Sequence, residues 1–294
     1  MKLNYEFSSI EVIQNRKNKK IVTAIIILII IFFIYLGIKQ LINENISKGQ
    51  DNKENIIDLK EEQIKEENKV ITEEIKNKIK GIYTSKEKRV FLTFDDGPSN
   101  ITGHILDILK EKNIKATFFV LGSNVDKKPE IVKRTYEEGH FIANHSYTHI
   151  YEDIYRSKES VLDEYIKCNE SISRAIGKKY DSHLFRYPGG YLGESTYTNI
   201  KKESGEFLEK NDIMHVDWNA LTGDSEKINV KSEDIMKNLK NTTSGKNSVV
   251  LLMHDAGGKE ITSNTLPSVI DYLESSGYEF KSFYDILKKG NLSE

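Results

Sequence analysis

Short runs of β-branched and aromatic residues recur through the C-terminal two thirds of the chain, separated by stretches with helical periodicity. The runs predict strands over residues 90–94, 116–120, 141–143, 184–185, 213–216, 249–253 and 278–280. The periodic stretches predict helices over residues 105–112, 129–138, 157–176 and 265–275. Strands that alternate with helices favour a parallel, buried sheet, so the expected fold class is α/β, a distorted (β/α) barrel.

The N-terminal part of the chain has a different pattern, with one uncharged apolar segment at residues 21–38. At about 1.5 Å of rise per residue, a helix of this segment extended by Leu41 and Ile42 has roughly the length that crosses a bilayer core. Basic residues cluster just before the segment and only Lys39 soon follows it, which predicts that residues 1–20 are cytoplasmic. A cleavable signal peptide is the alternative, but no convincing small-residue cleavage site follows. We therefore expect a single-pass protein of the cell membrane whose C-terminal domain is extracellular.

Residues 39–87 are rich in lysine and acidic residues and poor in aromatic ones, a composition too polar for a core of its own. We interpret them as a charged helical stalk. Spaced apolar residues between Val70 and Ile82 are compatible with one amphipathic helix, but too few heptads are sustained to predict a coiled coil. Residues 88–290 remain as one catalytic domain, long enough for a full hydrophobic core.

Composition limits the possible partners and sites. The net charge is -2 and the pI is about 6.4, so the chain has no electrostatic footprint for nucleic acid. The single cysteine, Cys168, excludes an intrachain disulfide and a cysteine-rich zinc site, and we expect it to pack on the helix predicted over residues 157–176. Composition does not indicate an oligomeric state.

Polar, titratable residues follow the predicted strands at the point where each strand ends. They are Asp95-Asp96, Asn144-His145, Arg186, Asp217-Trp218 and His254-Asp255. In β/α barrels the active site lies at the carboxyl ends of the strands. Within a buried strand the same groups would carry a desolvation cost. The sequence therefore predicts one site built from these strand ends.

Asp95 and Asp96, with His145 and His149, supply carboxylates and imidazoles for one divalent metal ion. Two histidines and one carboxylate would leave open positions for water and substrate. The alternatives are a turn in which Asp96 caps the next helix, and a surface pair of histidines. A zinc-peptidase motif does not fit, because Ser146 rather than a glutamate follows His145.

Arg186 begins a segment, RYPGG, that ends in two glycines. A guanidinium at a strand end could aim a carboxylate through bidentate hydrogen bonds. The glycines let bare backbone approach a ligand closely. A simple turn is the alternative, although it does not explain the arginine.

Five short motifs together resemble those of polysaccharide deacetylases of the NodB-homology type, the fourth family of carbohydrate esterases. They are TFDDGPS at residues 93–99, HSYTH at 145–149, RYPGG at 186–190, DW at 217–218 and LMH at 252–254. The resemblance extends from about Arg89 to Leu287. It implies a distorted β/α barrel and the removal of acetyl groups from N-acetylated sugar polymers.

The resemblance also implies which residues bind the metal ion and which residue acts as the base. Asp96, His145 and His149 would bind one divalent metal ion, with zinc expected and cobalt or nickel as alternatives. Asp95 would be the general base, and Arg186 would tether it.

The remaining roles implied by the resemblance concern the leaving group and the substrate. His254 would be the general acid, tuned by Asp217. The pocket for the acetyl group would include Trp218 and Leu252. In the RYPGG motif, Tyr187 would contact substrate and the backbone N–H of Gly189 would donate to the oxyanion.

One position departs from the family pattern. An aromatic residue often follows the proline of the third motif, whereas Gly189 stands here. A surface for stacking the sugar is therefore missing at that position, and Tyr147, Tyr187 and Tyr191 are the candidates to replace it.

These inferences predict a membrane-tethered, metal-dependent N-deacetylase acting on N-acetylglucosamine of a cell-envelope polysaccharide, with peptidoglycan as the leading substrate. The alternatives are an O-deacetylase of the acetylxylan type, a chitooligosaccharide deacetylase and a non-catalytic glycan-binding module of the envelope. A two-metal phosphoesterase lacks the additional ligands that its site would need. The expected partners are the glycan and, through residues 21–38, the lipid bilayer.

Overall fold

The computed structural model describes residues 36, 38–40, 71–227 and 229–287. The predicted cytoplasmic tail, nearly all of the predicted span over residues 21–38 and the first part of the predicted stalk lie outside these residues. Within the part of the chain that the structure describes, no helix is both long and apolar enough to cross a membrane.

Eight parallel strands of the described region form one sheet. They are β1 (Arg89–Asp95), β2 (Thr117–Val120), β3 (Phe141–Asn144), β4 (Leu184–Phe185), β5 (Met214–His215), β6 (Ala220–Leu221), β7 (Ser248–His254) and β8 (Glu279–Lys281). The strand order is β5-β4-β3-β2-β1-β7-β6, and β8 also pairs with β1. Because this path has two ends, the sheet is a curled half-barrel, which confirms the predicted β/α fold in this open form.

Helices connect most of the strands. They are α1 (Glu73–Lys80), α2 (Thr102–Glu111), α3 (Gly122–Val125), α4 (Pro129–Glu137), α5 (Tyr151–Ile154), α6 (Lys158–Ile176), α7 (Thr198–Lys210), α8 (Ser232–Thr243) and α9 (Glu260–Ser275), followed by a 3-10 turn at Phe283–Asp285. The four helices predicted from periodicity correspond to α2, α4, α6 and α9. The sequence pattern did not predict α7, α8 or β6.

The centre of the sheet is buried on both faces. Strand β1 lies between β7 on one side and β2 and β8 on the other, and six of its seven residues are buried. Buried parallel strands appear in a sequence as continuous apolar runs, which explains why the hydrophobic pattern predicted β1 and β7 well. In β6 only two residues pair with a neighbour, too few to produce such a run.

Helix α1 lies within the segment predicted as stalk, and it contributes to the hydrophobic core. Ile79 of this helix is 2% exposed in the main core. Ile71 and Ile82, which flank the helix, are both 0% exposed in the same core. The predicted amphipathic helix is therefore present, but it packs against the domain. A helix that buries one narrow apolar face remains polar on average, so composition alone assigned it to the stalk.

Candidate active site

Asp96, His145 and His149 lie together at the carboxyl ends of β1 and β3. One ligand atom from each falls within 4.8 Å of the others. The Oδ1 atom of Asp96 is 3.4 Å from Nε2 of His145 and 3.4 Å from Nε2 of His149. The structure thus brings together the three side chains that the sequence assigned to a metal.

The loop after β1 takes its shape from two unusual backbone positions. Asp96 has a φ of 74°, in the left-handed region that aspartate tolerates better than most residues. A Cβ atom on Gly97 would lie 2.0 Å from Oδ2 of the buried Asp255, so only glycine fits there. The same Oδ2 accepts a hydrogen bond from Thr102 at 2.6 Å, which secures the start of α2. The strand therefore ends sharply, and both aspartates are presented at its end.

The loop that carries the two histidines is held by the buried Glu164 of α6. One of its carboxylate oxygens accepts hydrogen bonds from the backbone N–H of Tyr147 (2.9 Å), the N–H of Thr148 (2.8 Å) and the Thr148 hydroxyl (3.0 Å). The side chain of Asn144 accepts from the N–H of Ser146 at 2.9 Å. Glu164 was not among the predicted site residues, because no feature of a helical sequence identifies the residue that will face a loop.

His145 is prepared to act as a ligand. Its Nδ1 is 2.7 Å from the carbonyl oxygen of Arg186, and since a carbonyl can only accept, Nδ1 carries the proton. The lone pair of Nε2 is then directed toward Asp96. Burial lowers the pKa of His145 to about 3, which keeps the ring neutral.

The donor set fits a divalent metal ion. Oδ1 of Asp96 is buried and has no hydrogen-bond partner among the described residues. A buried carboxylate oxygen without a donor is costly unless a cation occupies the site. Two imidazole nitrogens and one carboxylate oxygen match the ligands of zinc and related ions.

Asp95 and the fully buried Arg186 form the first flank of this cluster. Nη1 of Arg186 donates to Oδ1 of Asp95 and to the Thr93 hydroxyl, each at 2.8 Å. Its Nε and Nη2 donate to the carbonyl oxygens of Val216 (3.2 Å) and Asp217 (3.0 Å). The expected tether is present, but with one hydrogen bond to the carboxylate rather than two. Burial raises the pKa of Asp95, and Arg186 partly opposes that shift.

His254 forms the second flank, and its partner differs from the prediction. Nδ1 of His254 donates to Oδ1 of Asp224 at 2.9 Å, and its backbone N–H donates to Oδ2 at 2.8 Å. Burial by itself lowers the pKa of His254, but the hydrogen bond and charge of Asp224, with Asp95 and Asp96, outweigh it and raise the pKa to about 9. Asp224, and not Asp217, is the residue placed to tune His254.

Asp217 instead holds the backbone directly after the RYPGG segment. Its carboxylate accepts hydrogen bonds from the N–H of Tyr191 at 2.9 Å and of Leu192 at 2.9 Å. The carbonyl of Pro188 accepts from the Tyr155 hydroxyl at 2.6 Å. The Gly189 N–H is left without a protein acceptor in the described region. The segment is thus fixed from outside while one backbone donor stays available.

The predicted substrate-contacting side chains have different surroundings. Tyr187 is fully buried, and its hydroxyl is 3.0 Å from that of Ser204, so it supports the segment from within. Trp218 is half-buried, and its ring edge would lie 3.0 Å from a Cβ atom on Gly190. Leu252 is 8% exposed on β7, two residues before His254.

Cys168 is buried on α6, where its thiol donates to the carbonyl of Val120, and burial raises the pKa of that thiol. This agrees with the packing role predicted for it. His140 and His183 bond backbone groups outside the site, through Ala116 and Asp212.

Residues 82–205 match the family model described as polysaccharide deacetylase. A peptidoglycan-N-acetylglucosamine deacetylase of Bacillus cereus is 31% identical over 243 residues, covering 81% of this chain and 83% of that protein. The chain belongs to the polysaccharide deacetylase family. Its assignment as a hydrolase that removes acetyl groups is thereby confirmed.

Two further relatives describe the range of this family. A bifunctional xylanase/deacetylase of Pseudobutyrivibrio xylanivorans is 33% identical over 71% of this deacetylase, which spans only 32% of that longer protein. Among solved structures, a CE4 esterase of Streptococcus mutans superimposes with a TM-score of 0.64 at 31% identity, covering 69% of this chain and 90% of that one. The similarity to a solved structure supports the half-barrel fold.

Proposed function

We propose that this deacetylase is a metal-dependent enzyme that hydrolyses the N-acetyl groups of N-acetylglucosamine residues in peptidoglycan. The main observation behind the proposal is that two groups able to transfer protons lie beside one metal-ligand cluster. Asp95 stands on one side with Arg186, and His254 stands on the other with Asp224. Amide hydrolysis needs both a base for water and an acid for the amine.

Asp96, His145 and His149 would hold the ion, and we propose zinc, with cobalt or nickel as substitutes. When bound, such an ion lowers the pKa of water and polarises a carbonyl group. The three ligands come from two strand ends and leave the remaining positions open, as a catalytic site requires.

Asp95 would take the proton from the attacking water. Its raised pKa makes it a better base than an ordinary aspartate, and Arg186 fixes its direction. Negative charge would then develop on the acetamide oxygen. The free N–H of Gly189 is the backbone donor available to that oxygen.

His254 would protonate the departing nitrogen. An amine leaves poorly without a proton, and a pKa of about 9 keeps His254 protonated at neutral pH. Because Nδ1 is bonded to Asp224, the other ring nitrogen is the one that can deliver the proton. The products would be acetate and a free amino sugar. Trp218 and Leu252 would form the wall of the acetyl pocket.

The proposed substrate rests on two relatives and on the predicted location. The names of relatives from Bacillus cereus and Listeria monocytogenes specify peptidoglycan-N-acetylglucosamine deacetylases. An enzyme tethered outside the membrane would meet its own cell wall first. Deacetylation would leave protonated amines on the glycan and make the wall less negative.

The activity test is acetate release from N-acetylglucosamine oligomers. We expect release by the full chain with added zinc, loss of release with a chelator, and recovery when zinc returns. Acetylated xylan serves as the parallel substrate, because the xylanase/deacetylase relative makes O-deacetylation the second candidate. Faster release from xylan than from the oligomers would favour the second candidate, and no release from either would contradict both.

We also propose that residues 21–38 anchor the protein in the cell membrane with the catalytic domain outside. The proposal rests on the uncharged apolar segment and the basic residues before it. Full-length protein should sediment with membranes, and external protease should reach its C-terminal domain in intact cells. Deleting residues 21–38 should move it to the soluble fraction. Protection of the domain from protease would reverse the proposed orientation.

A further inference from the structure

Tyr151 is an aromatic residue at the edge of the metal-ligand cluster, and it belongs to none of the five sequence motifs. It is the first residue of α5, two positions after His149, and it is half-buried. Its ring centroid lies 5.6 Å from that of His149. A phenol hydroxyl can donate a hydrogen bond to a ligand.

The hydroxyl of Tyr151 fills the space next to Gly189. A Cβ atom on Gly189 would lie 2.5 Å from this hydroxyl oxygen and 3.2 Å from the ring carbon that bears it. Gly189 also has a φ of 72°, which disfavours any side chain. The aromatic group at this place in the site therefore comes from α5 and not from residue 189.

The other tyrosines considered for this place are engaged elsewhere. Tyr147 donates its hydroxyl to Asp126 at 3.1 Å, and the Tyr187 hydroxyl is paired with that of Ser204. Tyr191 packs on His215 with ring centroids 4.0 Å apart. By contrast, the Tyr151 hydroxyl has no hydrogen-bond partner in the described part of the chain.

We propose that Tyr151 is a substrate-contacting residue whose hydroxyl donates a hydrogen bond to the sugar unit that presents its acetamide to the cluster. The inference rests on the proposed function and deepens it. The Tyr151 hydroxyl lies beside Gly189, and in the proposed function the N–H of Gly189 faces the reacting acetamide. The sugar ring attached to that acetamide must therefore pass close to the Tyr151 hydroxyl. The ring of Tyr151 would form one wall for this sugar, and sugar specificity would depend on α5.

The test compares Tyr151→Phe with the wild-type full chain on N-acetylglucosamine oligomers in zinc. Loss of one hydrogen bond to substrate corresponds to a rise in KM of about 3–10-fold, with kcat changed less than about twofold. Tyr151→Ala also removes the ring, so its KM should rise further. Tyr147→Phe is the matched control, because it removes a tyrosine hydroxyl four residues earlier in the chain whose partner is the carboxylate of Asp126.

The outcomes separate this inference from the proposed function. An inactive wild-type enzyme would contradict the function itself. An active wild type with an unchanged KM in Tyr151→Phe would overturn the inference, as would an equal rise in Tyr147→Phe. A fall in kcat alone, with KM unchanged, would also overturn it, because it would indicate a disturbed reaction centre rather than a lost sugar contact.

Discussion

Replacing Asp95 with asparagine should lower kcat for acetate release by about 10²–10⁴-fold, the usual contribution of a general base. Asparagine keeps the size of the side chain and can still accept the hydrogen bond from Arg186, so the local geometry should survive. It cannot take a proton from water. Steady-state acetate release on N-acetylglucosamine oligomers measures the effect.

The Asp95→Asn enzyme should still bind zinc as the wild type does, because Asp95 lies outside the cluster of Asp96, His145 and His149. Asp107→Asn, an exposed change on α2, is the control for an aspartate away from the site. Near-normal kcat in Asp95→Asn would refute its role as the base. Loss of zinc would show that Asp95 is a ligand.

Replacing Asp224 with asparagine should move the alkaline limb of the pH–rate profile to lower pH. His254 acts as an acid only when protonated, and in the wild type its pKa of about 9 keeps it so through neutral pH. Without the charge of Asp224, only Asp95 and Asp96 oppose the effect of burial, so the pKa of His254 falls. Activity at pH 8 should therefore fall more than activity at pH 6. The largest expected loss of activity equals the usual contribution of a general acid to the rate, about 10²–10⁴-fold.

The matched variant is Asp217→Asn. Its carboxylate holds the backbone of Tyr191 and Leu192, so this change should alter the RYPGG segment but leave the alkaline limb in place. Profiles of kcat/KM against pH for both variants decide the question. A shift of the limb in Asp217→Asn but not in Asp224→Asn would restore the assignment made from the sequence.

The hydrogen-bond partner of His254 is Asp224 and not Asp217, and no local sequence pattern specifies this choice. Asp217 and Asp224 each follow a short apolar run, and a polar residue lies near the end of each run. The order of strands decides which one reaches His254: β5, before Asp217, ends one side of the sheet, whereas β6, before Asp224, pairs with β7. Leu221 of β6 lies opposite Leu252, two residues before His254. No local pattern reveals this long-range pairing.

Other parts of the site were accessible from the sequence for a physical reason. A sharp strand end places a polar group outside the sheet, so the sequence predicted one shared edge for Asp95-Asp96, His145, Arg186 and His254. The sequence did not predict the site residues that lie on helices. Glu164 and Tyr151 take their roles from the direction in which α6 and α5 lie, and periodicity does not specify that direction.

The pairing of β1 with β7 has a consequence for how this enzyme can diversify. Asp95 and His254 are direct partners in that register, so the proposed proton acceptor and proton donor stand on adjacent strands about 4.8 Å apart. Backbone hydrogen bonds in the buried centre of the sheet set their separation, and the surrounding loops do not. Segments outside the sheet, such as α5 with Tyr151, are therefore free to change which sugar is bound while the distance between acid and base is preserved.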